Sequence, residues 1–243
     1  GKSDVAKSLK VLKENLGYEP DDYRTFLLGE PTSFNAFLRT DYHIPMVKDM
    51  GFQKIAIEVH WQNAYPRLAF DFPETEWLTY KTEFQKGETN LNGFINEYQL
   101  LLLLVHHSGK ESWEKLKYIA DFTGYLIKFG HLTDWDLVQK IARKKGIFFL
   151  LLNSFQLLKV LGFEFKFSLP FSEQELKSQT PNQLIANWES MPAATSNSTV
   201  AYLKNGIKMR DGFYFKSKVL GAHLKYFMEW PLLWQKTKWY RKF

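Results

Sequence analysis

The first apolar pattern along the chain is helical. Four apolar residues recur at spacings of four, three and four, which places them on one face of a helix. They are Val5, Leu9, Leu12 and Leu16. Gly17 follows directly, and glycine commonly ends a helix. Residues 18–41 show no clear period, and Pro20, Gly29 and Pro31 predict loops within them.

A period-two pattern comes next and predicts a β-hairpin. In the run from Gln53 to Trp61, apolar side chains alternate with polar or small ones, so the two sets belong to opposite faces of a strand. The apolar set is Ile55, Ile57, Val59 and Trp61. An earlier run, Tyr42 to Val47, is joined to it by a short segment that contains Gly51. Two runs with a glycine-containing connection predict antiparallel strands.

From residue 73 onward the predicted elements are helical. Apolar periodicity and cap residues predict four helices, over Phe94 to His107, Trp113 to Phe129, Thr133 to Lys145 and Ile147 to Leu161. Leu203 to Tyr214 fits either a short helix or a second strand pair, and residues 220–243 predict a helix with a break at Pro231. The expected fold class is therefore α+β. A small α/β region with a β-hairpin, residues 1–72, is followed by a mainly helical region, residues 73–243, with a basic and aromatic C-terminal tail.

The composition is that of an ordinary folded protein. Of the 243 residues, 45% are hydrophobic and 24% are charged, which excludes a natively disordered chain. The chain has no cysteine, which excludes a disulfide scaffold, a thiolate metal site and a cysteine nucleophile. The most apolar stretch, Gly146 to Gly162, is interrupted by Asn153 and Lys159, so no membrane span is predicted and a cytoplasmic location is expected.

The net charge of +6 is concentrated near the C-terminus. Between Lys216 and Phe243 there are seven basic residues and one acidic residue, Glu229, with aromatic side chains interleaved. One interpretation is a helix that buries its aromatic residues, and the other is a surface that contacts phosphate or a membrane. We expect the first, in which Trp230, Trp234 and Trp239 are buried while Lys225, Lys236, Lys238 and Lys242 stay in solvent. A nucleic-acid partner is not expected from this tail alone.

The strongest candidate chemistry lies on the second predicted strand. Glu58 and His60 are two residues apart, so their side chains project from one face about 7 Å apart. A carboxylate and an imidazole in this arrangement can bind a divalent metal or share a proton. The alternative is that the pair is part of an ordinary solvated strand face.

Glu58-Val59-His60-Trp61, at the end of the predicted hairpin, resembles the (Glu/Asp)-Leu-His-Trp signature of an uncharacterised bacterial nucleotidyltransferase family. That family belongs to the polymerase-β-like nucleotidyltransferase superfamily. Further phrases match in order over most of residues 5–165. They are Leu16-Gly17-Tyr18, His106-His107, Trp113 to Lys117 with Asp121, Thr133-Asp134-Trp135, Ala142 to Gly146, and Leu161-Gly162.

The resemblance implies transfer of a nucleotidyl group from an NTP to an acceptor of unknown identity, with two Mg²⁺ ions held by three carboxylates. Glu58 stands at the position of the third carboxylate, so the resemblance implies that Glu58 is a catalytic metal ligand and that His60 is a catalytic residue. In the family, a Gly-Ser turn and an Asp-x-Asp strand precede the helix that ends in Leu-Gly-Tyr. Here that helix begins at about residue 4, which leaves no room for either. We therefore expect this chain to be inactive alone.

The alternative function is a non-catalytic binding or regulatory module that uses the helical region. Two phrases are poor substitutes for the Asp-x-Asp strand. Asp41-Tyr42-His43, which follows Gly29 to Ser33, has a histidine in place of the second acid, and Asp134-Trp135-Asp136 is better explained as a helix cap.

Three further polar residues follow the hairpin. One of His106 and His107 is expected to face inward and bond a backbone carbonyl. Asp121 is expected either to pair with Lys117 or to face the cleft between sheet and helices.

Overall fold

The computed structural model describes residues 2–177 and 199–234, which form two compact units. One unit comprises the described residues among 1–67, 72–74 and 221–243, and the other comprises those among 68–71 and 75–220. Two small antiparallel sheets and a larger set of helices make up the described residues, which confirms the α+β class. No helix within the described ranges is long and apolar enough to cross a membrane.

The first unit begins with three helices and a hairpin. The helices are α1 (Val5–Glu14), α2 (Asp22–Gly29) and α3 (Pro31–Thr40), and the strands are β1 (His43–Asp49) and β2 (Lys54–His60). The first helix and the hairpin confirm the sequence predictions. Pro20 lies in the non-helical segment before α2, and Gly29 and Pro31 flank the break between α2 and α3 at Glu30, as predicted. The rest of residues 18–41, which shows no clear apolar period, consists mostly of these two helices.

Local signals explain these two helices. The Asp21 carboxylate caps α2 by accepting a hydrogen bond of 2.8 Å from the backbone N–H of Arg24. Pro31 stands at the start of α3, where its missing N–H costs no helical hydrogen bond. Asp21 and Pro31 therefore mark the starts of two helices that the apolar pattern alone does not predict.

One hydrophobic core holds the first unit together. It gathers buried side chains from the three helices, from one face of the hairpin and from the C-terminal helix. Its members are Val5, Leu9, Leu27, Ala36, Phe37, Ile44, Met46, Trp61, Tyr226 and Leu233. Because Ile44 and Met46 point into this core, the residues that alternate with them on β1, His43 and Pro45, belong to the opposite face of the hairpin.

The second unit opens with a short helix, α4 (Trp77–Tyr80), and a second hairpin. Its strands are β3 (Lys81–Lys86) and β4 (Thr89–Phe94), paired antiparallel around a turn in which Gly87 has φ +60°. The prediction that the elements from residue 73 onward are helical is wrong for this hairpin. Most side chains of both strands are exposed, so the hairpin carries no buried apolar alternation that would identify it.

The rest of the second unit is helical. Its helices are α5 (Asn96–Leu104), a π-helical turn (Val105–Lys110), α6 (Leu116–Phe129), α7 (Trp135–Lys145), α8 (Phe148–Val160), α9 (Glu173–Lys177) and α10 (Thr199–Lys208). The four predicted helices are confirmed, with α6 starting later than expected. A last helix, α11 (Gly212–Trp234), begins in this unit and ends in the first one. The segment around Leu203 is helical, which decides between its two interpretations.

The predicted break at Pro231 is wrong, because Pro231 lies inside α11. Contacts of the last turns explain the continuation. The Ser33 hydroxyl donates to the Leu232 carbonyl at 2.8 Å, and Leu233 is buried in the core of the first unit. These contacts offset the cost of a proline inside a helix.

The prediction for the C-terminal tail is met only in part. Lys225 is exposed, as expected. Trp230 contacts Tyr226 and Phe227 but remains 37% exposed, so its ring is only partly covered. The side chain of Trp234, together with Trp239, Lys236, Lys238 and Lys242, lies outside what the structure describes.

Candidate functional site

The polar face of the first hairpin carries the residues singled out from the sequence. In the register of β1 and β2, His43 lies opposite His60, and Pro45 lies opposite Glu58. Directly opposed residues project to the same face of a sheet. The strand is therefore confirmed, and Glu58 and His60 share a face as predicted. On the other face, Ile57 and Val59 are partly buried and pack against the core.

The carboxylate of Glu58 lies between two imidazoles. Its Oε2 atom is 3.0 Å from Nε2 of His60, and its Oε1 atom is 3.8 Å from Nε2 of His43. The two histidine rings stack with centroids 5.1 Å apart, and Nδ1 of His43 lies 3.8 Å from Oδ1 of Asp41. The Glu58 side chain is 54% exposed. An exposed carboxylate is thus held by its neighbours while one side remains open to solvent.

Buried aromatic residues fix the end of the hairpin behind this face. Trp61 is buried as predicted, and its indole N–H donates to the carbonyl oxygens of Leu38 at 3.2 Å and Asp41 at 3.0 Å. Tyr42 is also buried, and its ring lies 4.3 Å from that of His43 and 5.3 Å from that of His60, measured between centroids. Because large buried rings pack in one position, they orient the imidazoles.

The chemistry available at this face is proton exchange, hydrogen bonding and partial metal ligation. Within residues 2–177 and 199–234, no group of three or more His, Asp or Glu side chains is arranged to hold a metal ion. Mg²⁺ prefers several oxygen ligands in octahedral geometry, and two of the groups beside Glu58 are imidazoles. The described residues alone therefore do not fit the two-magnesium centre that the family resemblance implies. The roles of Glu58 and His60 stay predictions.

The structure brings two further residues, His43 and Asp41, close to the Glu58–His60 pair. In the sequence, Asp41 and His43 form only a poor Asp-x-Asp phrase, yet His43 lies beside Glu58 and Asp41 lies beside His43. The hairpin register was the available signal, because a turn around Gly51 places His43 opposite His60. The segment Gly29 to Ser33 belongs to helix ends, and Ser33 is buried against Leu232.

A second titratable cluster lies in the other unit, at the π-helical turn. His107 is buried, and its Nδ1 atom is 3.2 Å from Nδ1 of His106. His107 is therefore the histidine that faces inward, as expected, and the neighbour of its Nδ1 atom is the His106 ring rather than a backbone carbonyl. Nε2 of His107 lies 3.8 Å from Oδ2 of Asp121, so Asp121 lies beside His107. Both π-helical geometry and titratable clusters are enriched at functional sites.

Burial and local charge shift the protonation of this cluster. Burial lowers the pKa of His107 to about 4, and the neighbouring His106 adds to the effect. Burial acts to raise the pKa of Glu111, but hydrogen bonds and charge from Lys110 and a hydrogen bond from the Tyr118 hydroxyl outweigh it, so the pKa is lowered. Near neutral pH, this region therefore contains a neutral imidazole, that of His107, and an ionised carboxylate, that of Glu111.

The backbone next to this cluster is strained. Ser112 and Trp113 have φ of +48° and +56°, in the left-handed region that non-glycine residues rarely adopt. Such strain persists only where the surrounding packing holds it. Trp113 is buried and stacks edge-on against Phe122, with ring centroids 5.4 Å apart, which supplies that packing.

The remaining acidic phrase is a helix cap, as the sequence indicates. The Asp134 carboxylate accepts a hydrogen bond of 3.0 Å from the backbone N–H of Leu137 at the start of α7. The backbone N–H of Asp134 donates in turn to Oε1 of Glu97 at 2.7 Å. Asp134 and Asp136 therefore do not replace the missing carboxylate pair.

Comparison with known proteins places the sequence in a family. The sequence model of a family described as "Uncharacterised nucleotidyltransferase" matches residues 1–162, more than half of the chain. The matched region contains the first hairpin, with Glu58 and His60, and also His107 and Asp121 of the second unit. No curated protein and no solved structure gives a significant match to the chain. The chain belongs to the uncharacterised nucleotidyltransferase family.

Proposed function

We propose that this chain takes part in the transfer of a nucleotidyl group from an NTP to an acceptor of unknown identity. Family membership over residues 1–162 supports the reaction class. The observation that supports a site on the first hairpin is that the Glu58 carboxylate is exposed on a strand and hydrogen-bonded to His60. An acidic side chain on a rigid strand is well suited to bind a cation, because its position is fixed before the ligand arrives.

Within this proposal, Glu58 is one carboxylate ligand of a Mg²⁺ centre, and His60 orients Glu58 through their hydrogen bond. A metal ion bound in such a centre would neutralise negative charge on the departing pyrophosphate. One carboxylate does not hold Mg²⁺ firmly. We therefore propose that the 243-residue chain does not transfer nucleotides alone, and that further carboxylates must join Glu58 before it does.

The test is pyrophosphate release from a panel of NTPs with Mg²⁺. The protein as encoded by its gene is compared with the 243-residue chain, each with and without Glu58→Gln. Glu83→Gln is the matched control, because Glu83 is an exposed glutamate on a strand of the other hairpin. We expect no turnover by the 243-residue chain. In an encoded protein that supplies the further carboxylates, we expect turnover that falls by about a hundredfold or more in Glu58→Gln and does not change in Glu83→Gln.

Two outcomes would contradict the proposal. Mg²⁺-dependent turnover by the 243-residue chain that vanishes in Glu58→Gln would show that this chain supplies the whole centre. If Glu58→Gln did not change the turnover of the encoded protein, the chemistry would lie away from the first hairpin.

A non-catalytic binding or regulatory module is the second candidate. The observation in its favour is that the described residues contain no group of three or more potential ligands arranged for a metal. The gene sequence immediately upstream of Gly1 separates the two functions. A Gly-Ser turn followed by Asp-x-Asp there supports the transferase, and a gene without both supports the module.

A further inference from the structure

The part of α11 that belongs to the first unit has two apolar sides. One side is buried, since Tyr226 and Leu233 lie in the core of that unit. The other side is exposed and consists of Leu224, Phe227, Met228 and Pro231, which we call the apolar stripe. These four residues stand at i, i+3, i+4 and i+7, so they form one continuous strip along the helix.

The exposure of the stripe is large. Leu224 is 63% exposed, Phe227 is 51% exposed and Met228 is 75% exposed. Single exposed apolar residues are common on protein surfaces and need no explanation. A contiguous strip of large apolar side chains along one helix is different, because such patches usually mark an interaction site.

Cations border the apolar stripe. Lys225 is exposed next to Leu224, and Glu229, which follows Met228, is paired with Arg39 of α3. Burial lowers the pKa of Lys2, and repulsion from Lys225 and from Arg39 lowers it further, so both positive charges act on Lys2. Arg39 binds Glu229 through two hydrogen bonds of 2.6 and 2.9 Å.

The C-terminal part of the sequence is basic. From Lys216 to Phe243 the chain carries seven basic residues and one acidic residue. An exposed apolar strip next to basic residues is the combination that binds helices to anionic membrane surfaces, with apolar side chains entering the lipid and cations facing the headgroups.

We propose that the apolar stripe is a peripheral membrane-docking surface, which lays this part of α11 on an anionic lipid surface. A nucleic acid would use the cations but would leave Leu224, Phe227 and Met228 in water. A lipid surface uses both features at once, because it offers phosphate charge and an apolar interior side by side.

Co-sedimentation of the intact chain with vesicles tests this proposal. The vesicles consist of phosphatidylcholine with or without phosphatidylglycerol. We expect binding to the anionic vesicles, weaker binding to the neutral ones, and release as salt screens the charges. Phe227→Glu should weaken binding by about tenfold or more, because it replaces an inserted ring with a repelled carboxylate.

Matched controls use the same chemical changes elsewhere in the first unit. Phe52 is 82% exposed in the turn between β1 and β2, and Phe52→Glu should bind vesicles like the unaltered chain. Lys225→Gln should weaken binding about fivefold, the effect of removing one basic residue near an anionic surface. Lys54→Gln, which changes an exposed lysine of β2, should not weaken vesicle binding.

Melting temperatures show whether each variant is folded. Met228→Glu is the second variant of the stripe, because a residue this exposed tolerates a charge without loss of folding. No binding to anionic vesicles at low salt, or equal losses for Phe227→Glu and Phe52→Glu, would overturn the proposal. It would also be overturned if Phe227→Glu abolished only self-association of the chain, or if the chain bound RNA in a way that Lys225→Gln weakens and Phe227→Glu does not.

Discussion

Glu58 and His60 share a hydrogen bond of 3.0 Å on the exposed face of β2, while Val59 between them packs against the core on the opposite face. The alternation of a β-strand produces this arrangement directly, since neighbouring side chains point to opposite sides. His43 joins the pair only because the hairpin register places it opposite His60. The candidate site is therefore a product of strand period and strand pairing together.

The exposed pair should contribute little to stability. Glu58→Gln should change the free energy of unfolding by less than about 1 kcal/mol, because ion pairs at the surface are offset by solvent and side-chain entropy. Trp61→Ala should cost roughly 3–5 kcal/mol, because it removes a large buried ring and both indole hydrogen bonds. Urea denaturation of both variants checks the difference. Equal losses would show that Glu58 is a structural residue and would weaken the case for a site.

Two glycines should respond oppositely to the same substitution. Gly146 ends α7 with φ +63°, and a Cβ atom there would lie 2.2 Å from ring atoms of Phe215. Gly146→Ala should therefore cost roughly 2–4 kcal/mol, from left-handed strain and from steric overlap. Gly124 lies within α6 with open space around it, so Gly124→Ala should gain roughly 0.5–1 kcal/mol. Thermal unfolding measures both, and a stable Gly146→Ala would mean that Phe215 moves freely.

The sequence predicts elements whose stability depends on local pattern. The helix over residues 135–145 is marked by Asp134 at one end and Gly146 at the other, and both residues perform those roles in the structure. The hairpin that carries Glu58 is marked by strict alternation ending in the buried Trp61. In these elements the local preference and the tertiary packing agree, so the pattern alone is sufficient.

Elements that depend on tertiary contacts were not predictable in the same way. The strands of the second hairpin are mostly exposed, so no burial pattern identifies them. The continuation of α11 past Pro231 depends on Ser33 and on the burial of Leu233, which are distant in sequence from each other. The position of His43 beside Glu58 depends on strand register, which turn geometry sets.

Arg210 is a buried cation whose replacement can separate packing from charge. Its Nη2 atom donates to the Lys145 carbonyl at 2.7 Å, and its guanidinium lies against the rings of Phe70 and Phe215. Burial lowers the pKa of Arg210 to about 10, which reflects the cost of keeping this charge out of water. Within the described part of the chain, its Nε and Nη1 atoms have no hydrogen-bond partner.

Arg210→Met should therefore change stability by less than about 1 kcal/mol, because it keeps the volume and removes a costly buried charge. Arg210→Ala should cost roughly 3 kcal/mol or more, because it leaves a cavity between the two rings. Urea denaturation distinguishes the two variants. If methionine cost as much as alanine, the guanidinium charge itself would be required for folding.

The buried His107 should make stability depend on pH. Burial lowers its pKa from 6.5 to about 4 in the folded protein, so the unfolded chain binds a proton first as pH falls. The contribution of His107 is fully present above about pH 6.5 and is lost as pH falls towards 4, because the unfolded state binds more protons in that window. The loss should reach roughly 2–3 kcal/mol at its lower end. Urea denaturation at pH 7.5 and pH 5 measures most of this loss. His107→Gln should remove this part of the pH dependence, whereas His131→Gln, at an exposed histidine, should retain it. An unchanged pH dependence in His107→Gln would show that His107 is charged in the folded protein or that another group causes the loss.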